Sequence, residues 1–432
     1  MPPAAGKRNL SLTDRALWLL FAATSFCIPL AVLPSGKDSF RLPKELLLEG
    51  MAVLLVLLAV LAAIWTSWRP PLPLRHPAVI LTALIVSWAA FSAIFSTNTH
   101  LSGFSVFQVI SLAAFFLAGV WAISHQRFVP VLAVLIVPAL INVAVSSLQE
   151  LEIWNPFRFN AGLPSHMRST GLVGNPNDVG AYLVAPVIAV FCWLMISKRR
   201  ARPAALLLFL LAGLVLNRTL TALIATAAGV LVLAWSHVPR PRRPLAVAVI
   251  VIVSIITVML FPPLRQRAER VAELLEGGRY DDIVSGRLPA YAAAVEMVRE
   301  RPLTGMGPGT FGYHYYPFRL RAEQRHPSLL SSQTRMQNFG EAHNDHLEVT
   351  AEGGLPAYAL MLSALVYVGS LSRRRSGDLS DGDICNTFAR TLALPLTISF
   401  AILMLAQFPL QLAVPAVSFL YTFALCVAWR RA

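Results

Sequence analysis

The sequence predicts an all-α polytopic membrane protein with about twelve transmembrane helices. Three observations predict it. Of 432 residues, 56% are hydrophobic and only 13% charged, and the mean hydropathy is +0.62; soluble domains typically carry about 25% charged residues. Apolar stretches long enough, or nearly so, to cross a hydrocarbon core of about 30 Å recur along the chain. Lys and Arg are shared unequally between alternate short connections. This composition excludes a soluble enzyme, a disordered chain and a disulfide-stapled secreted module. Cys27, Cys192, Cys385 and Cys426 lie far apart, three of them in apolar runs, and suggest neither a metal cluster nor a disulfide framework.

The twelve stretches run near residues 16–33, 46–65, 77–95, 106–123, 129–148, 178–196, 203–216, 219–235, 245–262, 348–370, 391–405 and 409–428. Lys7 and Arg8 precede the first, as in a signal peptide. That stretch is too long for a typical apolar signal region and no A-x-A-like site follows, so it reads as an uncleaved anchor. Residues 203–235 are too long for one span, and Asn217-Arg218-Thr219 is their polar break. With the N-terminus in the cytoplasm, the cytoplasmic short segments hold 19 Lys and Arg and the opposite ones 6. That ratio sets both termini inside. Merging the seventh and eighth stretches would invert everything after residue 218.

The remaining 11 arginines fall in one external segment. The chain therefore divides into membrane helices 1–9 over 1–262, an external loop over 263–347, and membrane helices 10–12 over 348–432. Within the loop, 264–276 (LRQRAERVAELLE) is amphipathic and suits a helix lying on a membrane surface. Residues 286–300 predict a second helix, with Ser285 as N-cap and Pro302 as stop. TGMGPGTFGYHYYPF then reads as a Gly- and aromatic-rich loop. The cytoplasmic segment SRRRSGDLSDGD reads as a flexible linker. The net charge of +14 means anchoring loops, or else anionic ligands.

Four places on the external face carry unusual polar residues. Arg218, in LNRTLTA, is either an anion clamp or an arginine snorkelling at a helix end. Arg287, in VSGRLPAY, falls in the first turn of a helix. A cation there opposes the helix dipole, while free N–H groups beside a guanidinium make an anion site; the plain alternative is a solvated arginine. His343, in EAHNDHLEVTAEGG, precedes a span that Asp345 and Glu348 would cap in a D-x-x-E pattern. The helix N-terminus disfavours imidazolium there, so the ring suits a neutral proton acceptor; otherwise it is a loop histidine. His343, His346 and Asp345 also invite a metal reading, but no H-E-x-x-H or Cys partner accompanies them. The fourth place is RSTGLVGNPNDVGAYL, a turn into the sixth span with Asn177 or Asp178 as cap. Asp381-Gly-Asp383 imitates a D-x-D metal motif, yet it lies in the cytoplasmic linker and reads as a solvated acidic turn.

Two arginines, a histidine and a Gly-rich loop are thus expected on one side of the membrane, without a nucleotide loop or metal cage. Paired arginines suit a diphosphate, which they can grip bidentately. A neutral histidine suits a hydroxyl nucleophile.

In the order GLVGNPNDVGAYL, LNRTLTA, SGR with RPLTGMGPGTF, and AHNDHLEVTAEGGLPAY, residues 168–358 resemble the O-antigen ligase and polymerase superfamily of bacterial inner membranes. The resemblance implies a GT-C-type glycosyltransferase without metal or other cofactor, working on the periplasmic side. Its donor would be an undecaprenyl-diphosphate-linked glycan and its acceptor a lipid A–core sugar, with membrane lipids as surroundings and no nucleic acid. Carried over to this sequence, Arg218 and Arg287 would bind the diphosphate, and His343 would act as general base or orient the acceptor hydroxyl. Asn344 and Asn177 would assist binding, Asn344 would hold the His343 ring or backbone, Glu352 would orient a neighbour, and Gly353 and Gly354 would permit close helix approach. Inversion at the anomeric carbon is implied, since direct displacement needs no covalent intermediate. An O-antigen polymerase and a protein O-oligosaccharyltransferase share these motifs. A transporter is the alternative of another class, although neither paired repeats nor midplane charges accompany it.

Overall fold

The computed structural model describes residues 11–34, 38–65, 73–124, 126–157, 169–325, 327, 338–373 and 383–430. Each of the twelve apolar stretches coincides with a helix. They are α1 (Leu12–Cys27), α2 (Arg41–Trp65), α3 (Pro77–Ile94), α4 (Thr99–Ile123), α5 (Phe128–Glu150), α6 (Pro176–Ile196), α7 (Ala201–Leu216), α8 (Leu220–His237), α9 (Arg243–Leu260) and, beyond the loop, α14 (Asp345–Ser370), α15 (Ile384–Leu403) and α16 (Ala413–Trp429). Four further helices fill the loop: α10 (Pro262–Glu276), α11 (Tyr280–Ile283), α12 (Leu288–Glu300) and α13 (Phe311–Arg325). No strand occurs among the described residues. Among the described residues, 8 helices are long and apolar enough to cross a membrane; α7, α8 and α16 are apolar but do not meet that measure, and α1 has 16 residues. Among the described residues, eight of the twelve helices on the apolar stretches therefore reach membrane length.

Sequence periodicity explains who sits inside. α6 is apolar on every face, and it forms the centre of the bundle with Val179, Leu183, Val187 and Val190 fully buried. α16 lies beside it, buried along its length, and α5, α7, α8 and α15 complete the shell. At the upper end of α6, Gly180 lets Asn217 and Thr219 approach where any Cβ would collide. α9 is different. It packs mainly on α8 and α10 and leaves Val249, Ile252 and Ile255 exposed, as a helix facing lipid would.

One break in α14 shapes the region around the candidate site. Gly354 takes φ 74, which no side chain tolerates well, and its Cβ position is occupied by the Leu303 carbonyl. Breaking a helix frees backbone groups that must find partners in an apolar setting. The segment Pro302–Gly309 supplies them: Met306 N donates to Ala351 O at 2.9 Å, Gly307 N to Glu352 O at 2.9 Å, and Leu355 N to Pro302 O at 2.8 Å. The Trp88 indole from α3 donates to Gly353 O at 2.8 Å. Glu352 turns its carboxylate to Gly309 N and Phe311 N, both 2.9 Å, and so caps α13 where the dipole favours an anion. Gly354 therefore admits a loop rather than a neighbouring helix. A small second core of Ala290, Met297, Met306, Phe311 and Tyr315 joins α12 and α13 to the first half of α14.

Several local expectations are corrected. TGMGPGTFGYHYYPF is loop only in its first half; from Phe311 it is α13, because Glu352 caps it from outside the segment. Arg287, not Ser285, is the N-cap of α12: Ser285 takes φ 58, outside the conformation of a cap, and Asp281 Oδ1 accepts from Leu288 N instead. Asn344, not Asp345, caps α14. Asn175, rather than Asn177 or Asp178, caps α6. Asp381 and Gly382 lie outside the described residues, as does Arg168; Asp383 caps α15.

Candidate active site

Among the described residues only four non-glycine residues have positive φ: Glu152, Arg218, Ser285 and His343. Each costs roughly 1 kcal/mol or more, and such strain concentrates at functional positions. One is Arg218, one is His343, and Ser285 is two residues before Arg287. Glu152 follows by two the residue that pairs with Arg218.

Arg218 ends the two-residue turn after α7, at a position where glycine is usual. The turn is held by Asn217 and Thr219: Thr219 Oγ1 bonds Asn217 Oδ1 at 2.6 Å and Pro176 O at 3.1 Å, tying it to the start of α6. The guanidinium forms an ion pair with Glu150 at the end of α5 and lies 5.9 Å from the Phe261 ring centre. Its side chain is 30% exposed and that of Glu150 only 6%. Arg218 is therefore anchored by a buried carboxylate, not snorkelling.

Arg287 sits between α11 and α12. The buried Asp281 bonds the turn twice, through its carbonyl to Gly286 N at 2.8 Å and its carboxylate to Leu288 N at 3.2 Å. The half-buried side chain donates from Nη1 to Ala406 O at 2.6 Å. Burial draws its pKa down first; the Tyr291 hydroxyl beside it opposes this and the Arg267 charge adds to it.

His343 lies edge-on between Phe408 and Phe339, with ring centres 4.6 and 5.7 Å away. Neither ring nitrogen has a hydrogen-bond partner among the described residues. Burial, and then the charge of Arg287, push its pKa down to about 4. The ring is neutral at pH 7 and keeps a free lone pair. The neighbouring backbone is pinned: Asn344 Nδ2 donates to Leu405 O at 2.9 Å, its Oδ1 accepts from Leu347 N at 3.1 Å, and Asp345 N reaches Met404 O at 3.0 Å. Asn344 is occupied by these structural bonds and does not hold the His343 ring. Asn177 is exposed on the first turn of α6, next to Pro176 and hence to the Arg218 turn. His346 bonds Ala401 O at 3.0 Å through Nε2. Among the described residues no three His, Cys, Asp or Glu are grouped as metal ligands.

One segment, the loop of residues 404–411 between α15 and α16, brings the three candidates to the same end of the bundle. Ala406 receives Arg287, Phe408 covers His343, and Gln407 Nε2 donates to Thr221 Oγ1 at 3.0 Å, three residues past Arg218. Nothing in the sequence singles out this loop, and Glu150 is not among the expected site residues. A carboxylate closing an apolar span near an unexplained arginine was the available signal for Glu150.

The fold and the site together define a polytopic all-α membrane protein with cationic side chains and a neutral imidazole gathered at one end of its helix bundle. Residues 204–362 match the O-antigen ligase family, and this span contains Arg218, Arg287 and His343. This part of the chain is thus similar to the O-antigen ligase family, and the match supports an O-antigen ligase superfamily member. No curated protein matches the chain.

Proposed function

We propose that the protein is an O-antigen ligase. It transfers a glycan from undecaprenyl diphosphate to a lipid A–core sugar on the periplasmic face of the bacterial inner membrane, as a GT-C-type enzyme with twelve spans and both termini cytoplasmic. The membrane parts are 1–262 and 348–432, and 263–347 is the periplasmic loop. The observation that carries this reading is the meeting of Arg287, His343 and the first turn of α8, which directly follows Arg218, on the loop 404–411.

Arg287, with Arg218 beyond it, binds the donor diphosphate, and Asn177 lines the same face. A polyprenyl tail remains in lipid. The lone pair of His343 accepts the proton of the acceptor hydroxyl as its oxygen attacks the anomeric carbon from the side opposite the diphosphate. The glycosidic C–O bond breaks, and the diphosphate leaves with the electron pair, its charge stabilised by the guanidiniums. Configuration inverts. The bound diphosphate also offsets the Arg287 charge on His343, raising the ring's proton affinity when a base is needed. No step requires a metal.

The test is mass spectrometry of lipopolysaccharide from a deletion strain carrying wild-type or His343→Ala protein. A ligase predicts loss of all O-antigen with intact lipid A–core in both the deletion and the variant, at normal membrane levels of the variant. A single repeat unit left on the core means polymerase. Unchanged transfer by His343→Ala removes the proposed base, and substrate flux through reconstituted vesicles unchanged by that variant means transport.

A further inference from the structure

His343 holds a left-handed backbone conformation, so something must hold each side of it. The bonds of Asn344 and Asp345 to the loop 404–411 hold the C-terminal side. On the other side, Ala342 N donates to Glu348 Oε2 at 2.7 Å. One residue earlier, Glu341 Oε1 accepts from Nη1 of Arg41 at 2.6 Å. This contact joins residues 300 positions apart. It also lies outside the family match, since Arg41 opens α2.

Arg41 is mounted rigidly. Its own N–H donates to Asp38 Oδ1 at 2.8 Å, and its Nε donates to Glu45 Oε1 at 2.7 Å, one turn along the helix. The preceding Phe40 stacks edge-on against Phe157, with ring centres 5.0 Å apart. The guanidinium therefore offers one edge to its own helix and the other to the His343 segment, a use of the planar fork that an ammonium cannot copy. The side chains are 42% and 24% exposed, and a pair that open adds little to global stability. What it fixes is geometry.

We propose that Arg41 is a positioning residue: through Glu341 it holds the strained turn that aims the His343 imidazole. The inference rests on the role of His343 given under Proposed function. The matched span would then not be self-sufficient, because α2 supplies one of the tethers of the base.

The experiment uses full-length protein reconstituted in lipid with a polyprenyl-diphosphate glycan donor and a lipid A–core acceptor. Arg41→Glu, Glu341→Arg, the double exchange, Glu341→Gln, Arg41→Lys and Glu45→Gln are compared. A misaimed base slows the chemical step, so each single charge reversal and Glu341→Gln should lower kcat by about tenfold or more while the donor KM stays put. The double exchange restores the pair with reversed sign and should recover kcat to about threefold of wild type. Arg41→Lys should be impaired like Glu341→Gln, and Glu45→Gln should stay near wild type. Thermal midpoints in detergent separate misfolding from misaiming, and the recovery by the exchange holds even if a single variant is less stable. Wild-type kcat in both single reversals overturns the proposal, as does an exchange no better than its worse parent. So does a loss confined to Glu45→Gln. If His343→Ala is itself active, the reading of the site has failed; if it is inactive while Arg41→Glu is normal, only the positioning role has failed.

Discussion

Acid should silence His343 far below the usual imidazole range. The ordinary value of 6.5 falls to about 4 in the folded protein, first through burial and then through the charge of Arg287. Keeping the buried ring neutral over that range corresponds to about 3 kcal/mol. The folded protein binds this proton less well than the unfolded chain. The ring's contribution to stability is therefore complete above pH 6.5 and is lost as pH falls towards 4, by about 1.4 kcal/mol per unit on the way. Two measurements read it. Transfer rates at limiting donor report the free enzyme, so the acid limb of kcat/KM should centre near pH 4, with the limb of kcat displaced upward by the bound diphosphate. Thermal midpoints of wild type and His343→Gln in one detergent should diverge below pH 6.5, with wild type losing more. An acid limb of kcat/KM near pH 6.5, with parallel midpoints, would refute the reasoning that burial and Arg287 govern this ring.

Three substitutions extend the same logic. Arg287→Lys keeps the charge but loses the planar fork, and transfer should fall about 10²-fold in kcat; a near-wild-type rate would mean no bidentate contact. Glu150→Ala leaves the Arg218 guanidinium without its buried partner, so the protein should lose about 1–3 kcal/mol and most of its activity. An unchanged thermal midpoint and rate would show that the pair anchors nothing. Gly354→Ala places a Cβ on the Leu303 carbonyl at φ 74, costing about 1–3 kcal/mol and loosening the mount of His343. A midpoint equal to wild type would sink that account of the α14 break.

Local features were legible where one residue or one short run decides them. The break at Asn217–Thr219 was visible because residues 203–235 exceed one membrane crossing, and it separates α7 from α8. The amphipathic stretch 264–276 is α10 almost residue for residue. Helix caps were less legible. Ser285, Asp345 and Asn177 each have the chemistry of a cap, but so do their neighbours. The entering backbone chose Arg287, Asn344 and Asn175. The Gly-rich run showed that tight backbone was needed but not why. The reason lies 45 or so residues on, where the helix break at Gly354 exposes carbonyls that this run must satisfy.

By itself, then, the sequence determined the all-helical class, the places of the apolar helices, and the identity of Arg218, Arg287 and His343 as the residues out of keeping with their surroundings. Each follows from composition or spacing within one segment, where transfer free energy and helix period act locally. Only the tertiary structure decided what holds those residues and what they share. Glu150 lies 68 positions from Arg218, Ala406 lies 119 from Arg287, and Gln407 lies 186 from Thr221. Contacts over such separations depend on which helices pack side by side, and an apolar helix is compatible with many neighbours until the whole bundle closes.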